Sequence, residues 1–432
     1  MDKQLPESML SMIEKVHDCF SDDEKIRSMF ASCFSNTYET TIRPQEDGTT
    51  FVITGDIPAM WLRDSAAQVR PYLFLAESDA SMADMIQGVI QKQMESIVHD
   101  PYANAFNETA DGSRFNDDET KMSPLVWERK YEIDSLCYPI QLAYLFWKTT
   151  GRTNHFNETF QKAVKAVLDL WIVEQNHADS NYHFIRRNCE PQDTLSHDGY
   201  GAPVGYTGMT WSGFRPSDDA CKYGYLVPSN MFAVVVLDYL QEIAKEVLND
   251  SVLAQNAHKL RNQINQGIQD YGTVEHPEFG TIYTYETDGL GNHVLMDDAN
   301  VPSLLSIPYL GYCDEKDPIY ENTRKFVLSE SNPYYYAGEK ASGVGSPHTP
   351  ENYIWHIALA IEGMTAKSAE EKKHILEIFK TTDANTNVMH EGFDVDDPNQ
   401  FTRAWFSWAN SMFSEFILTE CGMYVEGSPL KK

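Results

Sequence analysis

Apolar residues recur at helical spacing along most of the chain. The first stripe consists of Met9, Ile13, Val16 and Phe20. Spacing of three and four residues predicts an amphipathic helix. The apolar segment 131–151 predicts a buried helix that is closed by Gly151. Similar patterns predict further helices at 83–99, 160–171, 229–249, 252–269, 317–330, 352–366, 368–381 and 405–421.

Strand patterns are few. Residues 49–54 alternate between polar and apolar, and residues 281–296 predict a hairpin around a glycine-rich turn. The sequence contains no repeat, no low-complexity segment and no linker rich in proline, glycine or serine. We therefore expect one mostly helical catalytic domain over residues 1–432.

The arrangement of the polar clusters favours one helical architecture. A helical chain of this length fits a solenoid, a pair of bundles or a closed barrel of helical hairpins. Clusters of aromatic and charged residues lie between the predicted helices and are spread over the whole chain. In a barrel of paired helices such loops converge on one mouth, whereas a solenoid distributes them along a surface. The sequence therefore favours a barrel.

The charge balance limits the expected partners. The chain has 34 basic and 64 acidic residues, a formal charge of −30. Because this charge repels polyanions, neither nucleic acid nor an anionic membrane is an expected partner. The same charge keeps a protein soluble, and we expect a monomer.

The cysteines and the first residues predict a cytoplasmic location. Seven cysteines are scattered without a CxxC spacing, as is usual in a reducing compartment. The first twenty residues lack the basic-then-apolar order of a signal peptide. No apolar run is long enough to cross a bilayer.

Six stretches at or between the ends of predicted helices are rich in charged residues or histidine, and all but 296–305 also contain aromatic residues: 55–72, 126–140, 211–220, 296–305, 343–360 and 388–413. In the first, Trp61 offers an apolar ring face, and Arg63 with Asp64 offers a donor and an acceptor. Sugars bind to such combinations. The alternative is a helix start that carries a surface ion pair.

The other stretches also allow two interpretations. Acidic residues such as those in 126–140 and Asp298 are typical of helix N-termini, where the helix dipole favours them. His348, between two prolines, could donate to a substrate hydroxyl or be structural. The adjacent Asp218 and Asp219 cannot point the same way, since two neighbouring anions repel each other.

The chemistry suggested by these residues is that of carboxylates. The sequence has no zinc-ligand spacing, glycine-rich phosphate loop or nucleophile elbow. Glycoside hydrolysis needs two carboxyl groups, one to protonate the leaving oxygen and one to activate water or attack carbon. The residue types alone do not select the pair.

Six motifs resemble glycoside hydrolase family 125: GDIPAMWLRDS, VWERKYEIDSLCYPI, GFRPSDDA, MDDANVPSLL, SPHTPENYIW and FTRAWFSWAN. They occur in order between about residues 50 and 415. The resemblance implies an (α/α)6 barrel fold and an enzyme activity that needs neither a metal nor a cofactor. It also implies an exo-acting mannosidase that removes terminal α-1,6-linked mannose from oligosaccharides or N-glycan fragments, with inversion.

The resemblance also implies the site residues. Asp218 corresponds to the general acid and Glu391 to the general base that activates water. The expected mannose-binding residues are Trp61, Arg63, Asp64, Asp298 and His348. The motif expected as HESF is HEGF here, with Gly392 in place of serine.

Asp218 and Asp219 require different environments if only one is the acid. If Ser217 caps a helix, Asp218 lies in its first turn, where the dipole lowers a carboxyl pKa. Burial and the charge of Glu391 would raise that pKa. We expect Asp219 to pair with Arg215.

Two alternatives stay open. Barrels of helical hairpins also carry lyases, epimerases and phosphorolytic enzymes, because a fold does not fix a function. A glycan-binding protein without turnover is the third possibility. Release of free mannose from a mannobiose distinguishes all three.

Overall fold

Helices dominate the structure, a computed structural model that describes residues 4–115 and 118–431. The α-helices are α1 Glu7–Cys19, α2 Glu24–Thr40, α3 Leu62–Val69, α4 Leu73–Ala76, α5 Ala80–His99, α6 Ile133–Thr150, α7 Glu158–Glu174, α8 Val227–Ile243, α9 Ser251–Tyr271, α10 Ile307–Leu310, α11 Pro318–Val327, α12 His356–Met364, α13 Ala369–Thr382 and α14 Ser407–Glu420. No helix in the described ranges is long and apolar enough to cross a membrane.

The strands are short and lie in the loops. They are β1 Ile42–Pro44, β2 Thr50–Val52, β3 Met60–Trp61, β4 Ala105–Phe106, β5 Val126–Glu128, β6 Tyr225–Leu226, β7 Thr273–His276, β8 Gly280–Tyr283, β9 Glu286–Thr287, β10 His293–Val294, β11 Tyr335–Ala337, β12 Ser342–Val344, β13 Tyr353–Trp355 and β14 Gly392–Asp394. In the described part of the chain, these strands pair antiparallel.

The helices form two concentric layers. The inner layer consists of α3, α6, α8, α10, α12 and α14, and the outer layer of α5, α7, α9, α11, α13 and α2. In the inner layer, α14 contacts both α12 and α3, and α6 contacts both α3 and α8. The first outer helix, α2, packs on the last inner helix, α14, and so closes the ring. This is the (α/α)6 barrel that the sequence predicted.

The apolar pattern of each helix matches its layer. Inner helix α8 is buried on nearly all sides, and its sequence VPSNMFAVVVLDYL is apolar almost throughout. Outer helix α9 buries one stripe, consisting of Ala254, Ala257, Leu260, Ile264, Gly267 and Ile268. A helix that is apolar all round must be enclosed, whereas a striped helix covers a core from outside.

The predicted hairpin at 281–296 is only half correct. Strand β8 forms a hairpin with the preceding strand, β7, and not with a later one. Strand β9 pairs with β10 and with β6. The β9–β10 turn contains Gly289 and Gly291, both with positive φ (70° and 102°). The sequence pattern therefore located this turn and missed the turn between β7 and β8.

A buried ion pair ties the inner helices together below the mouth. Arg70, which follows α3, donates from Nε to Glu415 Oε1 of α14 at 2.9 Å and from Nη1 to Gln141 Oε1 of α6 at 2.9 Å. Its guanidinium lies 4.7 Å from the ring centre of Tyr309 in α10, and the Tyr309 hydroxyl donates to Glu415. One arginine thus connects four inner helices.

Replacement of Arg70 tests this connection. Arg70→Met leaves the Glu415 carboxylate buried without its cation, so the free energy of unfolding should fall by about 3–5 kcal/mol. The matched control is Lys162→Met, which removes an exposed ion pair with Glu158. This variant should leave the free energy of unfolding almost unchanged. Urea unfolding of both variants measures this, and equal stabilities would contradict the assignment.

Candidate active site

The loops that precede the inner helices meet around one cavity of about 350 Å³. The segments before or at the start of α3, α8, α10, α12 and α14 all line it. The convergence expected for a barrel is therefore present.

Aromatic rings and polar groups alternate around the wall. The rings belong to Trp61, Trp355, Phe406 and Trp408, and the polar side chains to Arg63, Asp64, Asp218, Asn300, His348, Glu391 and Arg403. Indole Nε1 atoms of Trp61 and Trp408 have no hydrogen-bond partner in the described part of the chain. Ring faces and free donors of this kind suit a sugar.

A left-handed turn separates the two adjacent aspartates. Asp218 has φ of +66° and sits in a turn, so it is not on a helix as the sequence suggested. The backbone N–H of Asp218 donates to the Arg215 carbonyl at 2.9 Å, and Lys130 Nζ donates to the backbone carbonyl of Asp218 at 2.7 Å. Aspartate tolerates this conformation. Asp218 consequently faces the cavity, whereas Asp219 is turned inward and is 1% exposed.

The expected pairing of Asp219 with Arg215 is wrong. Arg215 Nε donates to Glu286 Oε1 at 2.6 Å, and Asp219 Oδ1 lies 2.9 Å from His348 Nδ1. Glu286 stands in β9, which pairs with β6 just after the aspartates, and so the sheet brings it within reach of Arg215. A partner 71 residues away could not be read from spacing.

His348 is a cation at neutral pH. Burial lowers the pKa of this imidazole, but the hydrogen bond and charge of Asp219, together with the charges of Glu391 and Asp218, raise it to about 9. His348 also lies beside Trp355, whose ring centre is 6.3 Å away. The cavity wall therefore carries a fixed positive charge next to both predicted catalytic carboxyl groups.

One guanidinium is surrounded by four carboxyl groups. Arg63 lies at the start of α3 and is 3% exposed, not on the surface as one interpretation of the sequence had it. The contacts of its nitrogens are with Glu132 at 2.5 Å, Asp218 at 3.1 Å, Asp64 at 3.4 Å and Asp134 at 3.4 Å. Its guanidinium also lies 5.3 Å from the ring centre of Trp408.

Burial dominates the titration of this cluster. It raises the pKa of Asp64 to about 6 and that of Asp134 to about 6, against the opposing charge of Arg63. It raises the pKa of Glu132 well above the ordinary range. For Asp218, burial is outweighed by Arg63, a hydrogen bond with Glu132 and Lys130, which together hold its pKa below the usual range.

Glu391 is fixed by a strand pair and an arginine. It directly precedes β14, which pairs with β13 so that Gly392 lies opposite Trp355. Arg403 Nη1 is 3.5 Å from Glu391 Oε1, and the same guanidinium binds Asp56 through Nε at 3.0 Å and Nη2 at 2.5 Å. Arg403 thereby joins the loop before α14 to the loop before α3.

Gly392, where the family motif has serine, packs tightly. A Cβ at this position would lie 3.1 Å from Trp355 Nε1, and that indole donates to Thr349 Oγ1 at 2.9 Å. Thr402 binds both the N–H and the carbonyl of Gly392. Backbone contacts therefore fix the Glu391 loop without a side chain at position 392.

The structure brings most of the predicted site residues to the cavity wall. Those at the wall are Trp61, Arg63, Asp64, Asp218, His348 and Glu391. Asp298 is completely buried behind it, where it accepts hydrogen bonds from Ser217 Oγ at 3.2 Å and Asn300 Nδ2 at 3.0 Å. Asn300 lines the cavity in its place.

Sequence reasoning missed Arg403, Asn300 and the role of Glu132 in the Arg63 cluster. Each lies within a motif that the resemblance used, FTRAWFSWAN, MDDANVPSLL or VWERKYEIDSLCYPI. Membership of a motif was the available signal. It does not distinguish a wall residue from a supporting one.

A barrel of helical hairpins whose mouth holds a cavity lined by aromatic rings and carboxyl groups has the features that a glycoside hydrolase needs. The sequence profile of the metal-independent alpha-mannosidases (GH125) matches residues 23–418. The chain belongs to this family, as its motifs suggested.

Individual proteins agree with this assignment. A metal-independent alpha mannosidase from Streptococcus pneumoniae, in a non-productive complex with α-1,6-mannobiose, is 48% identical and superposes with a TM-score of 0.95 over 97% of this chain and 99% of its own. The meiotically up-regulated gene 157 protein of Schizosaccharomyces pombe is 40% identical in an alignment of 421 positions that covers 92% of this chain and 82% of the relative.

More distant structures share the barrel alone. The glucoamylase of Saccharomycopsis fibuligera is 12% identical, with a TM-score of 0.56 over 97% of this chain and 96% of its own. At this identity the likeness shows the (α/α)6 fold and nothing about the substrate.

Replacement of Asp219 tests the charge of His348. In Asp219→Asn the imidazole loses its neighbouring anion, so its pKa should fall by roughly 1–3 pH units, the usual effect of one opposite charge. The wild-type imidazole stays protonated up to about pH 9, and the variant should lose its proton at a correspondingly lower pH. NMR titration of the ring nitrogens measures this, with His348→Gln identifying the signal.

Asp193→Asn is the matched control. Asp193 shares the outer part of the mouth with His348, but it is not among the main groups that shift the His348 pKa. A fall of that pKa in the control, or no fall in Asp219→Asn, would refute the Asp219–His348 pairing.

Proposed function

We propose that the protein removes terminal α-1,6-linked mannose from oligosaccharides, N-glycan fragments among them, with inversion at the anomeric carbon. Asp218 is the general acid and Glu391 the general base. The observation that carries the proposal is the junction of two cavities of unequal size at these carboxyl groups. The complex of the S. pneumoniae relative with α-1,6-mannobiose supports the linkage.

The cavity shape supports exo action. The inner cavity of about 350 Å³ opens into an outer cavity of about 1400 Å³. Asp218, Glu391 and His348 line both. A terminal mannose in the inner cavity therefore places its glycosidic bond at the carboxyl groups, and the remaining glycan lies in the wider outer cavity.

The two carboxyl groups have different surroundings. Asp218 belongs to a buried cluster with more carboxyl groups than cations, so the cluster as a whole can retain a proton, while Arg63 and Lys130 hold the pKa of Asp218 itself below the usual range. Glu391 has the Arg403 guanidinium beside it, which orients the carboxylate that takes a proton from water. Inversion requires space for that water, with the carboxyl groups roughly 6.5–9.5 Å apart.

The wall residues supply the expected sugar contacts. The ring of Trp61 offers a face for the C–H surface of mannose. Asp64 lines the inner cavity, where its carboxyl group can accept from a hydroxyl. Asp298 contributes to the pocket by orienting Asn300 and Ser217.

The product of the reaction tests linkage and stereochemistry together. In the presence of EDTA, α-1,6-mannobiose should be cleaved and α-1,2-mannobiose should remain largely intact. Proton NMR should show β-mannose first, because water attacks the face opposite the leaving group. Equal rates on both isomers would contradict the linkage, and α-mannose as the first product would make Glu391 a nucleophile.

The leaving group distinguishes the acid from the base. Asp218→Ala should reduce kcat/KM on α-1,6-mannobiose by about 10²–10⁴-fold, the usual contribution of a positioned proton donor. The same variant should lose much less kcat/KM on a dinitrophenyl mannoside, because the dinitrophenolate leaves without being protonated. Glu391→Ala should lose comparable activity on both substrates, since water still lacks its base.

Asp219→Ala is the control for the neighbouring aspartate. Its loss should not depend on the leaving group, because Asp219 acts on position and charge through His348. If Asp219→Ala spared the activated substrate and Asp218→Ala did not, the acid would be Asp219.

A further inference from the structure

We propose that Glu132 shares one proton with Asp218 and takes over the negative charge whenever Asp218 must be protonated. The inference rests on the proposed function, in which Asp218 is the general acid. Glu132 touches no substrate; it acts through Asp218 and positions the catalytic proton.

The two carboxyl groups are bridged by the same two donors. Arg63 donates from Nη1 to Glu132 Oε2 at 2.5 Å and from Nη2 to Asp218 Oδ1 at 3.1 Å. Asn104 Nδ2 lies 3.4 Å from Glu132 Oε1 and 3.5 Å from Asp218 Oδ1. These shared donors hold the two carboxyl groups beside each other, and two adjacent buried carboxyl groups are costly to ionise together.

The charge balance of the cluster requires a retained proton. Four carboxyl groups contact Arg63, and the side chains of Glu132 and Asp134 are 0% exposed. Lys130, the neighbouring cation, is also within 4 Å of Glu128 and Asp193. Several buried anions around one cation are unfavourable, so at least one carboxyl group stays neutral.

Without a sugar, the proton is better placed on Glu132, whose side chain is 0% exposed, than on Asp218, whose side chain is 24% exposed and can be solvated as an anion. Burial raises the pKa of Glu132 well above the ordinary range. For Asp218, burial is outweighed by Arg63, the hydrogen bond with Glu132 and Lys130, and its pKa is held below the usual range. An acid that is already ionised cannot protonate a leaving group, so the proton must move to Asp218 before the reaction.

Glu132 is built to accept the charge when the proton moves. As an anion it has Arg63 Nη1 at 2.5 Å, Ser135 Oγ at 2.8 Å and Asn104 Nδ2 at 3.4 Å. Three donors stabilise a buried carboxylate well. A sugar that displaces water around Asp218 makes its ionised form less favourable. Both effects favour the form with the proton on Asp218.

The proton balance of one turnover is closed. As the bond between the anomeric carbon and the glycosidic oxygen breaks, its electron pair stays on the oxygen, which takes the proton from Asp218. Water bonds to the anomeric carbon and gives a proton to Glu391. The pair of Glu132 and Asp218 is then doubly anionic. It regains one proton when Glu391 releases its own to solvent.

The test is Glu132→Gln. Glutamine has the size of glutamate and can donate a hydrogen bond to Asp218. Because its amide can neither give up a proton nor become an anion, Asp218 stays ionised. We expect kcat/KM on α-1,6-mannobiose to fall by about 10²–10³-fold and that on the dinitrophenyl mannoside by less than about tenfold. Between pH 8 and 5 the mannobiose activity should rise about tenfold per unit, because Asp218 must now be protonated from solvent.

Asp134→Asn is the matched control. It removes another buried carboxyl group beside Arg63, at 3.4 Å, and Asp134 has no hydrogen bond with Asp218 among its main interactions. Its losses should be equal on the two substrates. Glu132→Asp keeps a titratable group and should recover part of the mannobiose activity, with a pH dependence nearer the wild type.

Asp218→Asn is measured in parallel to separate two failures. Suppose that the loss of activity in Asp218→Asn depends on the leaving group. If Glu132→Gln then loses equal activity on both substrates, or keeps the wild-type pH profile, the shared proton is refuted and the assignment of Asp218 as the acid stands. If Asp218→Asn itself shows no such dependence, the proposed acid is wrong, and the inference about Glu132 is overturned with it.

Discussion

The buried guanidinium of Arg63 is the interaction on which the site depends. It joins the start of α3 to the start of α6 through Glu132 and Asp134, and to the turn that carries Asp218. It also lies over Trp408 of α14. Removal of this single cation would leave several carboxyl groups buried without compensation, which is far more costly than the loss of a surface ion pair. The position of Asp218, the proposed acid, and the packing of three inner helices are therefore determined together.

Neighbouring residues acquire different chemistry from their surroundings. Asp218 and Asp219 are identical in type and adjacent in sequence. A positive φ at Asp218 turns one towards the Arg63 cluster and the other towards His348. The first then belongs to a group of carboxyl groups around Arg63, and the second holds the imidazole of His348 and raises its pKa. Environment assigns these roles, because a carboxyl group responds to burial and to the charges beside it.

The barrel itself does not determine the substrate. The same arrangement of helices recurs in a glucoamylase at 12% identity, where only the fold is shared. What is particular to this protein lies in the loops before the inner helices. In the described part of the chain, these loops supply every charged residue that lines the inner cavity, apart from Arg63 and Asp64 at the start of α3. A rigid barrel with variable loops allows one fold to carry different chemistries.

The sequence by itself indicated ten of the helices and the loops of the mouth, but it did not indicate α2 or α3. Apolar residues around the whole of α8 and along one stripe of α9 required one helix to be enclosed and the other to cover it. Polar and aromatic clusters between the helices marked the loops of the mouth, and their motifs identified the family.

Only the tertiary structure decided which charges meet. Arg215 binds Glu286 and Glu391 has Arg403 beside it, while Asp298 lies behind the wall. The strand pairing at β6 and β9 was equally hidden from local pattern. Helical periodicity depends on residues three and four positions apart in the same helix, so it can be read from the sequence. Ion pairs between loops depend on how the ring of helices closes, and residues far apart in the chain become neighbours only then.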